Sequence, residues 1–202
     1  MFGFIHMHNV NSIILEIKTD IFLPQILTQP ILDWVLDRNN RKLCLTITPP
    51  HLSGFVAGMT HLESMKGDLK KLNFPISELN KINTYILKEL GWKKKDLKPE
   101  VRFGSLISYS EKGHVVHLHK DKNELEGYIH VRLNVMISLP QRGGHPQIDG
   151  SVIEMKENQV WVCRAGDFFH STTEVEGEKP RIMLSMGYNV PLYIPDRYQE
   201  NF

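Results

Sequence analysis

The segment IHVRLNVMISL, residues 129–139, alternates polar and aliphatic side chains with the period of two that is typical of a β-strand. One face carries His130, Arg132 and Asn134. The other face carries four branched aliphatic residues: Val131, Leu133, Val135 and Ile137. The polar face is either a solvent-facing edge or the wall of a polar pocket. The aliphatic face needs a core to pack against.

Further strand patterns follow one another between residues 101 and 190, with no helical pattern among them. These predicted strands cover residues 101–109, 115–119, 152–155, 159–163, 167–170 and 181–190. Turn sequences such as Gly143-Gly144 and Asp149-Gly150 separate them. Short strands at a spacing of about 8–12 residues are typical of an antiparallel sandwich or barrel.

The N-terminal half has a mixed pattern. Apolar residues at helical spacing predict helices over residues 23–36, with an interruption at Pro30, and over residues 76–90, with Gly91 as a stop. Alternating or short apolar stretches predict strands over residues 12–17 and 41–47.

Composition narrows the classes of protein. The 202 residues suit one domain, in which we expect residues 1–98 to be a mixed helical and strand support, 99–192 the β core and 193–202 a tail. The 24 Lys and Arg residues against 23 Asp and Glu residues do not predict a nucleic-acid partner. The longest apolar runs are far shorter than the roughly 18 residues of a membrane span. Two cysteines and the absence of a signal-like N-terminus favour a cytoplasmic protein.

The densest group of histidines lies in the segment HVVHLHKD, residues 114–121. On a strand that continues to Asp121, the side chains of His117, His119 and Asp121 project to one side, roughly 6.6 Å from one to the next. An imidazole and a carboxylate at that spacing can bind one cation. His170, at the end of a predicted strand, is the candidate for a third ligand. A surface histidine beside an aspartate is the alternative for the short motif taken alone.

Arg181 opens the apolar strand over residues 181–190, on the same face as Met183 and Ser185. An arginine that points into a small barrel is costly unless it meets an anion. A dicarboxylate would satisfy it, because the guanidinium group binds a carboxylate in a bidentate manner.

In this order and spacing, His119-Lys-Asp121, His170 and Arg181 resemble the motif of the Fe(II)/2-oxoglutarate-dependent oxygenases. The resemblance covers residues 101–191, about half of the chain. It implies a mainly β fold with flanking helices, namely a double-stranded β-helix (jelly-roll, cupin-like) core with a mixed α/β N-terminal half. It also implies that His119, Asp121 and His170 bind Fe(II), leaving positions for 2-oxoglutarate and O₂. Arg181 would bind the distal carboxylate of 2-oxoglutarate.

The resemblance also suggests further cofactor-binding residues. Many members of the family carry a hydroxyl residue two positions after the arginine, where this chain has Met183. Ser185 and Tyr109 are therefore the candidates for a second contact to 2-oxoglutarate, with a core tyrosine as the alternative for Tyr109. Arg132 and Asn134 resemble the Arg-x-His strand of the aspartyl/asparaginyl β-hydroxylase-like branch, with Asn134 at the usual histidine position. A solvated strand face is the alternative for Arg132.

Together with residues 161–166 and 170–173, the strand over residues 130–138 also resembles a second branch, the free-amino-acid hydroxylases and radical halogenases. Halogenases of this family have Gly or Ala at the position of Asp121, so the carboxylate here implies hydroxylation. The expected function is therefore hydroxylation of an unactivated C–H bond of a small substrate, a free amino acid or a short peptide side chain, with release of succinate and CO₂. The sequence does not indicate an oligomeric state.

Two other functions stay open at this point. A cupin-type metalloenzyme that does not use 2-oxoglutarate would take His117 as a further ligand and would use Arg181 structurally. A non-catalytic jelly-roll binding module would carry the metal-binding pattern by coincidence.

Overall fold

The computed structural model describes residues 18–43, 55–59, 73–100 and 104–191. In these residues the helices are α1 (Gln25–Leu36), α2 (Arg38–Leu43) and α3 (Ile76–Glu89). The strands are β1 (Lys18–Phe22), β2 (Phe55–Met59), β3 (Lys98–Pro99), β4 (Ser105–Ser110), β5 (Tyr128–Ser138), β6 (Arg142–Gly143), β7 (Pro146–Ile148), β8 (Ser151–Val152), β9 (Gln159–Cys163), β10 (His170–Thr172), β11 (Val175–Glu176) and β12 (Arg181–Pro191). None of the helices in this part of the chain is long and apolar enough to cross a membrane.

The strands form one large antiparallel sheet and a smaller layer opposite it. The large sheet has the order β1-β9-β5-β12-β4-β2, and β3 pairs with the far end of β12. The smaller layer consists of the sheet β10-β7-β8 and the pair β11-β6. The prediction of a mainly β fold with a double-stranded β-helix core and flanking helices is confirmed. The division into residues 1–98, 99–192 and 193–202 stays a prediction.

Helices α1 and α3 cover the outer face of the large sheet. Ile31 and Val35 of α1 are buried, as are Ile82 and Ile86 of α3, in one core with the aliphatic face of β5. The four-residue spacing of these side chains places them on one stripe of each helix. Both helices are therefore confirmed, and Pro30 lies inside α1 without ending it.

The other face of the large sheet points toward the smaller layer, and we call it the interior face. His130, Arg132 and Asn134 lie on it with only 4%, 8% and 3% of their surfaces exposed. The polar face of this strand is therefore a buried pocket wall, and the solvent-facing alternative is wrong. An apolar group, Met136, Ile148, Met155, Trp161, Cys163 and Ala165, fills another part of the same interior.

Four predicted strands need correction. Residues 165–168 form a turn, in which the backbone N–H groups of Asp167 and Phe168 donate to the carbonyl of Arg164, so the strand begins only at His170. Residues 115–119 make bridge contacts with β10 but no continuous strand, and β8 ends at Val152. Residues 38–43 are helical, and the rest of the predicted strand over 41–47 lies outside the described residues, as does the one over 12–17.

Candidate metal centre

His119, Asp121 and His170, which we call the triad, each bring one ligand atom to within 4.8 Å of the other two. Nε2 of His119 lies 3.8 Å from Oδ1 of Asp121, and the two imidazole ring centroids are 4.1 Å apart. Reciprocal backbone hydrogen bonds of 3.0 and 2.8 Å join residues 119 and 170, so the two histidines lie directly opposite each other. The triad therefore assembles as the sequence predicts. It is the only such group in the part of the chain that the structure describes.

The histidine tautomers suit metal binding. Nδ1 of His119 lies 2.9 Å from the carbonyl oxygen of His117, and Nδ1 of His170 lies 3.1 Å from that of Phe168. A carbonyl oxygen only accepts hydrogen bonds, so each Nδ1 carries the proton and each Nε2 keeps its lone pair for a cation. His117 itself is exposed and does not belong to the triad.

The protonation states of His170 and Asp121 are also those that a cation requires. Burial and, to a smaller extent, the neighbouring His119 lower the pKa of His170 to about 4, so the imidazole of His170 is neutral at pH 7. Burial alone would raise the pKa of Asp121, but Arg132 and the neighbouring histidines lower it, and the net shift is downward. Asp121 is therefore an ionised carboxylate at neutral pH.

Asp121 does not lie on a regular strand, and specific contacts hold the segment that contains it. Its backbone N–H donates to the carbonyl of Ala165 at 2.8 Å. Two residues later, Oδ1 of Asn123 accepts the backbone N–H of His130 at 2.9 Å. Gly166 packs against Asn123, where a Cβ atom would lie 1.9 Å from Oδ1. The turn before β10 and the start of β5 thus fix the carboxylate ligand together.

Arg132 links Asp121 to a second carboxylate. Its Nε lies 3.3 Å from Oδ2 of Asp121, and its Nη2 lies 3.3 Å from Oε2 of Glu100. The backbone N–H of Gly104 also donates to this Oε2 atom, at 2.7 Å. Arg132 was predicted to bind the cofactor, and its guanidinium group already contacts two protein carboxylates. Its role toward the cofactor stays a prediction. Glu100 lies in a lysine-rich connector and had no motif to mark it.

Arg181 is buried without an acidic partner. Its Nε donates to the carbonyl of Gly144 at 2.8 Å, and its Nη1 lies 3.4 Å from Oγ of Ser108. Nη2 lies 3.3 Å from the sulfur of Met183. Only 1% of the residue is exposed, and burial lowers its pKa to about 10. Since no carboxylate of the described residues pairs with it, Arg181 is a suitable binding group for an anion.

Asn134 and Ser185 lie between Arg181 and the triad on the interior face. Strand pairing sets Gly187 opposite Arg132, then Ser185 opposite Asn134, then Met183 opposite Met136. Arg132 contacts Asp121, and Met183 contacts Arg181, so the Ser185–Asn134 pair occupies the intermediate position. The buried Oγ of Ser185 has no hydrogen-bond partner in the described region. This hydroxyl can therefore bind a polar ligand.

Tyr109 is not part of this interior. Strand alternation on β4 places Ser108 on the interior face, beside Arg181, and Tyr109 on the outer face, where it belongs to the core under the helices. The prediction that Tyr109 contacts the cofactor is therefore wrong. Ser108 was missed, although the same alternation could have identified it once the face of Tyr109 was known.

Comparisons with known proteins support the fold. No protein-family model matches the chain, and no curated protein matches it in sequence. Among solved structures, a prolyl-4-hydroxylase from Pseudomonas putida is similar, with a TM-score of 0.57 and 14% identity over 90% of this chain and 96% of that one. The viral collagen prolyl hydroxylase vCPH from Paramecium Bursaria Chlorella virus-1, in its 2OG complex, has a TM-score of 0.56 and 13% identity, covering 86% and 94%. AviO1 from Streptomyces viridochromogenes Tue57 has a TM-score of 0.52 and 12% identity, covering 86% and 89%.

Proposed function

We propose that this chain is an Fe(II)/2-oxoglutarate-dependent oxygenase that hydroxylates a C–H bond of a small substrate. One observation carries the proposal: a His-Asp-His triad, whose ligand atoms lie within 4.8 Å of one another, shares the interior of one barrel with a fully buried arginine that has no acidic partner among the described residues. The triad alone would suit several metal-dependent functions. The arginine adds a binding site for an anionic cosubstrate.

The donor set fits Fe(II). Two neutral imidazoles and one carboxylate, all from one side, are the ligands of non-haem iron oxygenases and leave open positions for other ligands. Bound Fe(II) would supply the coupled reaction in which R–H, 2-oxoglutarate and O₂ give R–OH, succinate and CO₂. His119, Asp121 and His170 would hold the ion. Their carbonyl and arginine contacts keep the ligand atoms oriented.

The remaining residues of the interior would bind the cosubstrate. Arg181 would bind the carboxylate of 2-oxoglutarate that lies away from the iron, and Ser108, which already contacts the guanidinium, would supply the second donor. Asn134 and Ser185 would lie along the carbon chain between the two ends. The indole N–H of Trp161 contacts the sulfur of Met183 at 3.4 Å, so these two side chains would limit water beside Arg181.

For the substrate, we propose a free amino acid or a peptide side chain, acted on in the cytoplasm. Two of the similar structures are prolyl hydroxylases, which makes proline-containing peptides the first candidates to test. The assignment to either branch named above stays a prediction. A cupin-type enzyme without 2-oxoglutarate is less well supported, because His117, the further ligand it would need, is exposed and outside the triad.

The test is an anaerobic titration of the chain with Fe(II) and then 2-oxoglutarate, followed in the visible range. We expect a weak charge-transfer band that needs both components. Peptides and amino acids are then screened for succinate release in air, with His170→Ala as the inactive control. A chain that binds Fe(II) but gives no 2-oxoglutarate-dependent band or succinate would contradict the proposal.

A further inference from the structure

Glu100 is the only carboxylate with less than a tenth of its surface exposed among the described residues. It directly follows β3, and its backbone N–H donates to the carbonyl of Gly187 at 3.0 Å. The side chain lies over Gly187, where a Cβ atom would come within 2.8 Å of Cβ of Glu100. Because residue 187 is a glycine, the side chain of Glu100 has room to approach the interior face of the sheet.

We propose that Glu100 is a positioning residue of the metal centre, which holds Arg132 and neutralises its charge so that Arg132 can orient Asp121 without opposing a divalent cation. This inference rests on the proposed function, because it assigns Glu100 a role toward the metal that the triad would bind. The role is indirect, since the contact of Glu100 is with Arg132.

The two oxygens of Asp121 have different environments. Oδ2 is the atom that Nε of Arg132 contacts at 3.3 Å, and Nδ1 of His130 lies 3.7 Å from the same oxygen. Oδ1 faces Nε2 of His119 and thus the centre of the triad. A carboxylate whose one oxygen is held by a guanidinium offers the other to a cation in a fixed direction. Arg132 therefore selects the oxygen that would bind the metal.

The positive charge of Arg132 opposes the binding of a cation at Asp121, and the carboxylate of Glu100 compensates this charge. A guanidinium next to a metal-binding carboxylate cancels the negative charge that attracts the cation. Asp121 and Arg132 alone sum to zero, whereas Asp121, Arg132 and Glu100 sum to −1. Oε2 of Glu100, 3.3 Å from Nη2 of Arg132, supplies this compensating charge. The three residues together orient the ligand and keep its attraction for a cation.

The experiment measures Mn(II) binding to the full chain by electron paramagnetic resonance, without 2-oxoglutarate, in five variants. Glu100→Gln keeps the shape and removes the charge, and we expect it to weaken Mn(II) binding about tenfold, within the range of 10–100-fold known for residues that support metal ligands. Glu100→Asp keeps the charge and should stay within about threefold of wild type. Glu89→Gln on the exposed face of α3 is the matched control and should change nothing.

The dependence on Arg132 distinguishes positioning from a general effect. We compare Arg132→Met with the double variant Arg132→Met/Glu100→Gln, and we expect Glu100→Gln to weaken Mn(II) binding less in the Arg132→Met background than in the wild-type background, because Glu100 then has no guanidinium to hold against Asp121. An equal loss from Glu100→Gln in both backgrounds would overturn the inference, as would wild-type binding by Glu100→Gln.

Circular dichroism shows whether each variant is folded. If Arg132→Met does not fold, the single variants decide: an equal loss of Mn(II) binding in Glu100→Gln and Glu100→Asp would contradict the role of the charge. If the wild-type chain binds no Mn(II) at all, the proposed function fails, and this inference fails with it. Tight binding by wild type together with unchanged binding by Glu100→Gln would overturn only the role of Glu100.

Discussion

Replacing Arg181 by methionine should separate the cost of burying a cation from its use in binding an anion. In the protein without ligand, Arg181 is 1% exposed and has only neutral partners, among them the carbonyl of Gly144. Replacing a buried ion pair with well-packed apolar side chains is often neutral or stabilises proteins by ~1–4 kcal/mol, and Arg181 lacks the opposite charge of such a pair. Leaving the Gly144 carbonyl without a donor costs ~1–3 kcal/mol. These two changes nearly cancel, so Arg181→Met should keep the free energy of unfolding close to that of wild type.

With ligand, the two proteins should differ. At a 2-oxoglutarate concentration of about 100 times the wild-type Kd, the ligand stabilises the wild-type protein by about 2.7 kcal/mol. Loss of a buried charged partner should weaken binding at least about tenfold, which corresponds to about 1.4 kcal/mol. The same concentration is then at most about 10 times the Kd, and the stabilisation falls to about 1.4 kcal/mol or less.

The assay is urea unfolding of the Mn(II)-loaded protein with and without 2-oxoglutarate. Arg142→Met is the control, because Arg142 is an exposed residue that pairs with Glu176 and should leave both values unchanged. Arg181→Lys should recover part of the ligand effect, since an ammonium group lacks the bidentate contact. Full 2-oxoglutarate stabilisation in Arg181→Met would refute the assignment of the carboxylate site.

Three further predictions concern a ligand of the triad, a glycine that packs against its segment, and a buried cysteine. Asp121→Gly should lose most hydroxylation and weaken Mn(II) binding, because one of three ligands is gone, and undiminished turnover measured as succinate release would remove Asp121 from the site. Gly166→Ala should lower the free energy of unfolding by about 1–3 kcal/mol in urea titrations, since the new Cβ displaces Asn123, and an unchanged midpoint would show that the loop relaxes at little cost. Burial raises the pKa of the Cys163 thiol to about 12, so in a Cys44→Ser variant we expect no reaction with Ellman's reagent at pH 8 until the protein is unfolded; rapid labelling of the folded variant would contradict the buried position.

The triad and its arginine could be predicted because local patterns carry them. His119 and Asp121 are two positions apart, and their convergence needs only a locally extended chain. His170 was predicted at the end of a strand over residues 167–170, whereas it begins β10 after a turn. The helices α1 and α3 could likewise be predicted from the sequence, since the period of their buried residues is close to four.

The supports of the site depend on contacts between distant segments, and no local pattern reports them. Glu100 and Arg132 are 32 positions apart and meet only because β3 and β5 both pair with β12. Tyr109 was a candidate for the cofactor contact because the sequence alone leaves two possible phases for the alternation on β4. The register with β12 selects one of them, through the contact between Ser108 and Arg181.

The position of β12 in the large sheet also bears on how the protein is synthesised. This strand is the last one described along the chain, yet it lies between β5 and β4 and also pairs with β3. During translation, β4 and β5 leave the ribosome without the neighbour that joins them, and their apolar faces stay exposed until residues 181–191 follow. Pairing across such long separations is slow, which leaves a period in which the nascent chain is prone to aggregation. We therefore expect a chain that is truncated before Arg181 to be insoluble as well as to lack the arginine.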